Sequence, residues 1–112
     1  MERGYGMNKK DIIAREILGW KSRGKNSWYN LDKDEFVHDS YFMPDKYLEH
    51  AMLIVNQLAM FGVTYRTNGN SEARFDDIIG IGSNLPEAIT NAAYSFVQNY
   101  YSAIEYKYMN QL

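Results

Sequence analysis

The sequence predicts an α+β fold in which helices pack on a small antiparallel sheet. Three segments carry apolar residues at helical spacing, and five short segments have the composition of strands. The connections between them are short and rich in Gly, Asn and Asp. Short connections and hairpin turns favour antiparallel pairing over a doubly wound parallel sheet. The predicted order is α-β-β-α-β-β-β-α.

The first helix is predicted to begin after Asn8, a good N-cap that is followed three residues later by Asp11. Its apolar face, which ends at Gly19, consists of Ile12, Ile13, Ile17 and Leu18. Residues 1–7 lack a periodic pattern, so we expect a flexible N-terminal extension and a native start at Met7. Residues 8–112 form the single predicted domain.

Two short strands are predicted after this helix. A polar loop at 21–27 should lead into the first of them. The strands, at 28–30 and 35–38, are expected to pair across the turn at 31–34.

The second helix has the clearest pattern of the chain. It follows Pro44 and closes at Gly62. Its predicted apolar stripe consists of Leu48, Ala51, Met52, Val55, Leu58 and Ala59. His50 falls on the other side of the helix, so it is expected to face away from this stripe.

A β-hairpin and one more strand are predicted next. The hairpin joins 63–67 to 71–75 across a turn that contains Gly69 between two asparagines. The further strand is expected at 78–81, after which the last helix begins. These three strands complete the predicted sheet.

The last helix opens with a capping-box pattern, in which Asn84 is followed by Pro86 and Glu87. Its apolar stripe, long enough for about six turns, consists of Leu85, Ala88, Ile89, Ala92, Phe96, Tyr100 and Ile104. Four further tyrosines lie on more than one face of this helix, so a monomer would leave some of these aromatic side chains exposed to solvent. We therefore expect a homo-oligomer with an interface that includes Tyr94, Tyr101, Tyr106 and Tyr108.

Composition excludes several classes of protein. A chain of 112 residues fits one domain, and without cysteine it has no disulfide, thiolate nucleophile or cysteine-based metal site. A net charge of −2 argues against general nucleic-acid binding. No apolar run is long enough to span a bilayer. We expect a cytoplasmic protein with no membrane partner and no cofactor.

Several of these segments together resemble the phage ABA-sandwich domain family. The matching residues are Ile12 to Trp20, Trp28-Tyr29, Phe42, Pro44, Ala51, Val55, Leu58, Gly62, Asn84 to Ile89 and Ala92-Ala93. The resemblance covers residues 7–97 and implies a viral origin, an α/β/α sandwich-like arrangement and no catalytic residues. The tail beyond Val97 is longer than is usual in that family, which leaves the oligomeric state open.

One loop combines cations with aromatic rings, a mixture that suits phosphate together with a base or ribose. The candidate ligand-binding residues there are Lys21, Arg23, Lys25, Trp28 and Tyr29. Arg66 and Arg74, on the two arms of the hairpin, are a second basic pair and complete the candidate set. The alternatives are a solvated basic loop with Trp28 in the core, and hairpin arginines that pair with acids across strands.

Other patterns indicate chemistry less strongly. The acidic residues Asp32, Asp34, Glu35 and Asp39 lack the spacing of an EF-hand, so a solvated turn is the expected structure. His38 and Asp39 form a dipeptide typical of metal phosphohydrolases, but His50 is the only other histidine. Gly80 and Gly82 precede a helix without the third glycine of a dinucleotide fingerprint. No metal site is therefore predicted.

The expected function is binding without turnover. We expect a phage-encoded accessory protein, most concretely an oligomeric sponge that sequesters a small anionic nucleotide-like ligand derived from host immune signalling. One alternative is an interaction module that inhibits a host or phage protein. A second is a phosphodiester hydrolase that uses His38 and the nearby acids.

Overall fold

A computed structural model of the protein describes the backbone of residues 8–24 and 26–111 and the side chains of those up to Tyr100. The predicted N-terminal extension and Lys25 lie outside this range. Within it, three α-helices and two three-stranded antiparallel sheets confirm the predicted class. The helices are α1 (Lys9–Glu16), α2 (Leu48–Met60) and α3 (Leu85–Gln111). The strands are β1 (Lys21–Ser22), β2 (Ser27–Asn30), β3 (Glu35–His38), β4 (Tyr65–Asn68), β5 (Glu72–Phe75) and β6 (Ile78–Ile81).

The first sheet has the order β1-β2-β3 and contains one strand more than the sequence predicts. The start of the predicted 21–27 loop is strand β1, in which Lys21 and Ser22 pair with Tyr29 and Trp28 of β2. A two-residue polar strand has no apolar alternation, so only its backbone pairing reveals it. Alternation along β2 places Trp28 and Tyr29 on opposite faces of this sheet.

The second sheet has the order β4-β5-β6, with β5 in the centre. Its inner face includes Ala73 and Phe75, which are fully buried beneath α3. Its outer face is open, because Arg66 and Ile79 are exposed there. The single predicted sheet is thus two sheets, and helices cover the second on one face only in the described part of the chain.

Strand β6 and helix α3 are in very close contact at two glycines. A Cβ atom on Gly80 would lie 2.1 Å from the backbone nitrogen of Ala92, and one on Gly82 would lie 2.6 Å from that of Ala88. The Gly80-Ile81-Gly82 segment therefore has a packing role, in which the missing side chains let the helix backbone approach the strand.

The helices share one hydrophobic core with both sheets, and α1 and α2 each pack against α3. In α2 the buried positions are Ala51, Ile54, Val55 and Leu58. The predicted stripe was wrong at both ends, because Leu48 and Ala59 are exposed. It also omitted Ile54, which is fully buried. No helix among the described residues combines the length and apolarity needed to cross a bilayer.

Both predicted N-caps are confirmed. The side-chain oxygen of Asn8 accepts a hydrogen bond from the backbone N–H of Asp11 at 2.9 Å, and Asn84 accepts one from Glu87 at 3.0 Å. The Glu87 carboxylate reaches back to the N–H of Ser83 at 2.6 Å rather than to Asn84. Hydrogen bonds from the Ser83 hydroxyl and N–H hold the pKa of Glu87 below its usual range.

His50 does not project freely from α2 as the sequence suggests. Its Nδ1 accepts a hydrogen bond from the backbone N–H of Met43 at 2.9 Å, and its ring stacks on the buried Phe42 at 6.3 Å. The imidazole thus joins α2 to the segment that precedes it.

We expect His50→Ala to lower the free energy of unfolding by about 1–3 kcal/mol, because the Met43 N–H loses its acceptor in a half-buried place. Urea denaturation followed by circular dichroism would measure the change. His38→Ala is the matched control, since His38 is exposed and its ring bonds Ser40 within its own turn. Equal stability of His50→Ala and the unmutated protein would contradict this role.

Candidate functional site

The outer face of the first sheet brings cations and aromatic rings together. Lys21 lies opposite Tyr29 in the register of β1 and β2, and Phe36 lies opposite Tyr29 in that of β2 and β3. The guanidinium carbon of Arg23 lies 5.6 Å from the centroid of the Tyr29 ring, within cation–π range. We call Lys21, Arg23, Tyr29 and Phe36 the basic–aromatic face.

The Tyr29 ring is held at both ends. Its ring centroid is 5.1 Å from that of Phe36, and its hydroxyl donates a hydrogen bond to the carboxylate of Asp34. This bond raises the pKa of Tyr29 above its ordinary value. These two contacts restrict the orientation of the Tyr29 ring on the sheet, beside the Arg23 side chain.

Phe36 was missed in the sequence-based set. It is 69% exposed, although it is a large apolar residue in the middle of a strand. Val37 is the β3 partner of the buried Trp28, so Phe36 must point to the opposite face. Two adjacent apolar residues in a four-residue strand do not by themselves say which one faces the core.

Trp28 belongs to the core rather than to this face. It is 6% exposed, and its indole Nε1 donates to a carboxylate oxygen of Asp39 at 3.4 Å. It borders a polar cleft of about 340 Å³ between α1 and the loop after β1. The cleft is lined by Asn8, Asp11, Arg15, Ser22, Gly24, Asn26, Ser27, Trp28 and Asp39.

Two of the four acidic residues of the predicted cluster, Asp34 and Asp39, have side-chain partners in different places. Asp39 bonds the ammonium of Lys10 at 3.0 Å and so ties the end of β3 to α1, whereas Asp34 holds Tyr29. The pKa of Asp11, on α1, is raised above its ordinary value. Desolvation is the largest cause, and the nearby negative charge of Asp39 adds to it. Among the described residues, no group of three His, Asp or Glu side chains is arranged to hold a metal.

His38 is engaged in its own turn. Its Nδ1 lies 2.7 Å from the Ser40 hydroxyl and accepts from the Ser40 N–H at 3.1 Å. His50, the other histidine, is bonded to Met43 as described above. The structure therefore gives the two histidines separate local partners.

The hairpin arginines lie on the second sheet. Arg66 and Arg74 are directly opposite one another in the register of β4 and β5. Arg74 lies 3.8 Å from the Glu72 carboxylate, and both arginines border a shallow cavity of about 270 Å³. Lys21 lies in β1 of the first sheet and Arg23 directly follows it, so the hairpin arginines and the basic–aromatic face belong to different sheets.

An apolar groove of about 400 Å³ opens between the C-terminal ends of α1 and α2 and the middle of α3. Its apolar lining consists of Ile17, Leu58, Phe61, Val63, Phe96, Val97 and Tyr100. Phe61 is 72% exposed at its rim, and the Phe96 and Tyr100 rings stack at 4.5 Å. This groove is assembled from three helices, and no single segment of sequence indicates it.

Of the predicted interface tyrosines, Tyr94 is described and is half-buried against the core. Its hydroxyl accepts from the side-chain amide of Gln98 at 3.0 Å, and the Lys9 ammonium lies 5.7 Å from its ring centroid. The side chains of Tyr101, Tyr106 and Tyr108 lie outside the described residues.

Comparison with known proteins identifies a family. No curated protein and no solved structure matches the chain. The family model of the phage ABA sandwich domain matches residues 11–94, which include most of α1, both sheets, α2 and the first part of α3. The chain therefore belongs to the phage ABA sandwich domain family.

Proposed function

We propose that this phage-family protein is a non-enzymatic binding protein that sequesters a small anionic nucleotide-like ligand on the basic–aromatic face. The observation that carries this proposal is the row formed by Lys21, Tyr29 and Phe36, with Arg23 over the Tyr29 ring. The finer role that we propose is that of an oligomeric sponge, located in the host cytoplasm, for a nucleotide-derived immune signal.

The chemistry of the face suits the two parts of such a ligand. A base can stack on the exposed Phe36 ring, a contact worth about 1–3 kcal/mol per base. Phosphate oxygens can accept charge-assisted hydrogen bonds of about 1.5–3 kcal/mol each from Arg23 and Lys21. Because β-sheet pairing fixes the spacing of these groups, little ordering is needed on binding.

Binding without turnover is the simplest role for this face. Its four side chains are two cations, a phenylalanine and a tyrosine whose hydroxyl is bonded to Asp34. They include no histidine or serine nucleophile, and the proposal assigns a catalytic role to none of them.

We expect Arg23→Ala and Phe36→Ala each to weaken binding of a phosphate-bearing nucleotide at least tenfold, because one removes a phosphate donor and the other a stacking surface. Calorimetry with a panel of cyclic and ADP-ribose-derived nucleotides would measure this. Both residues are exposed, so melting in ligand-free buffer should be nearly unchanged.

Arg66→Ala serves as the comparison variant, because Arg66 is a cation of the other sheet. Weaker binding by this variant as well would mean that the arginines of a neighbouring copy complete the site. Heat denaturation of the complex tests turnover, since a sponge returns its ligand intact and a hydrolase returns products. An absence of heat with every nucleotide would contradict the proposal.

A second candidate, docking on a host or phage protein, is favoured by the apolar groove. Phe61 at its rim and the neighbouring Met60 are both largely exposed. Isolated exposed apolar residues are common, but several beside one groove are typical of interaction surfaces. Phe61→Asp would disrupt this surface while leaving the basic–aromatic face intact, so the two functions can be tested separately.

A further inference from the structure

Strand β6 is an edge strand without the usual protection. In the described part of the chain, β1, β3, β4 and β6 are the edges of the two sheets. Proteins protect such edges with charged side chains, proline or very short strands. The other three comply, because β1 has two residues, β3 carries Glu35 and β4 carries Arg66. The sequence of β6 is Ile-Ile-Gly-Ile.

The hairpin register determines which backbone groups of β6 face outward. Phe75 and Ile78 pair across a two-residue turn, so they exchange hydrogen bonds, and the N–H of Gly82 donates to the Ser71 carbonyl at 3.0 Å. In an antiparallel ladder every second residue bonds to the neighbouring strand. The residues between these direct their backbone groups away from β5, and they are Ile79 and Ile81.

One of the outward groups has a partner. The side-chain amide of Asn91 donates to the Ile81 carbonyl at 2.8 Å and closes that end of the edge. The N–H and C=O of Ile79 and the N–H of Ile81 have no backbone partner among the described residues. The side chains of Ile79 and Ile81 are 45% and 64% exposed. The middle of β6 therefore offers hydrogen-bonding groups and apolar surface together.

We propose that β6 pairs with β6 of a second copy of this chain, antiparallel about a two-fold axis at Ile79. The two Ile79 residues would exchange N–H···O=C bonds, and the two three-stranded sheets would become one of six strands. This interface is independent of the ligand proposed above and of the tyrosines of α3.

The choice of a second copy rests on charge. A two-fold interface brings each residue against its own equivalent or close to it. At β1, β3 or β4 this would bring Lys21, Glu35 or Arg66 near its own copy, and like charges in facing positions are destabilising. The β6 strand has no charged residue, so pairing with itself about Ile79 opposes no like charges. This register sets Ile79 against Ile79, and it sets Ile78 and Ile81 against Gly80 and Asp77 of the other copy.

The test is the Ile79→Lys variant in sedimentation velocity at micromolar to 100 µM protein. We expect the unmutated protein to have an even multiple of the 13.1 kDa chain mass and Ile79→Lys to have half of that value. The dissociation constant should rise more than tenfold. Ile79 is 45% exposed on the open face, so the variant should keep the circular dichroism spectrum of the folded chain.

Phe36→Lys is the matched control, because it also replaces an exposed apolar residue of an edge strand, and it should keep the unmutated mass. Hydrogen exchange adds a local measurement, in which the Ile79 amide is protected in the unmutated protein and exchanges rapidly in Ile79→Lys. A chain-mass monomer at 100 µM, an Ile79→Lys variant of unchanged mass, or a rapidly exchanging Ile79 amide in the unmutated protein would overturn the proposal.

Discussion

Gly80→Ala should lower the free energy of unfolding by more than about 3 kcal/mol, at the upper end of the cost of overpacking a core. The new Cβ would lie 2.1 Å from the Ala92 nitrogen and 2.5 Å from the Ala88 carbonyl oxygen. Both are backbone atoms of α3, so no side-chain rotation relieves the clash. The helix must move as a unit or the strand must separate from it. Urea denaturation would measure the loss.

Gly69→Ala separates this clash from the general cost of replacing a glycine. Gly69 lies in the turn between β4 and β5 with a φ of +67°, and nothing lies within 4 Å of the position a Cβ would take. Its replacement should cost only the left-handed backbone penalty of about 1–2 kcal/mol. If Gly80→Ala were as stable as Gly69→Ala, the close contact between β6 and α3 would be refuted.

Ala51→Asp should prevent cooperative folding. Ala51 is fully buried on α2, within the core that α2 shares with α3. An unpaired carboxylate there costs several kcal/mol, against a typical total stability of about 5–15 kcal/mol. We expect a flat thermal transition and loss of near-ultraviolet circular dichroism.

Asn56→Asp introduces the same carboxylate on the exposed face of the same helix, so it should melt close to the unmutated protein. The comparison isolates burial from any effect of charge on helix propensity. A cooperative melt of Ala51→Asp near that of Asn56→Asp would mean that the Ala51 face of α2 is exposed to solvent.

Local signals were enough to predict most of the elements. The caps at Asn8 and Asn84 and the Gly69 turn depend on hydrogen bonds or φ angles within a few residues, and these features are confirmed. The division into two sheets depends on which strands meet across long stretches of chain. The pairing of β1 and the burial of Ile54 likewise depend on tertiary contacts, and the periodicity of the sequence does not encode these contacts.

The candidate site was predicted only in part. Arg23 and Tyr29 are neighbours because Arg23 directly follows β1, which pairs with β2, and the loop composition suggested this proximity. Trp28 faces the core and Phe36 faces outward. The sequence does not fix this assignment, because a shift of the strand register by one residue would move every side chain to the opposite face. Arg66 and Arg74 belong to the second sheet. Their positions on either side of the Gly69 turn do not determine how far they lie from Arg23.

The close contact between β6 and α3 also has a kinetic consequence. It joins residues about ten positions apart, such as Gly80 and Ala92, so little chain entropy is lost when it closes. The bond from Lys9 to Asn91 spans 82 positions and closes nearly the whole chain at once. Low contact order therefore favours early formation of the β5-β6-α3 unit, onto which α1 docks late.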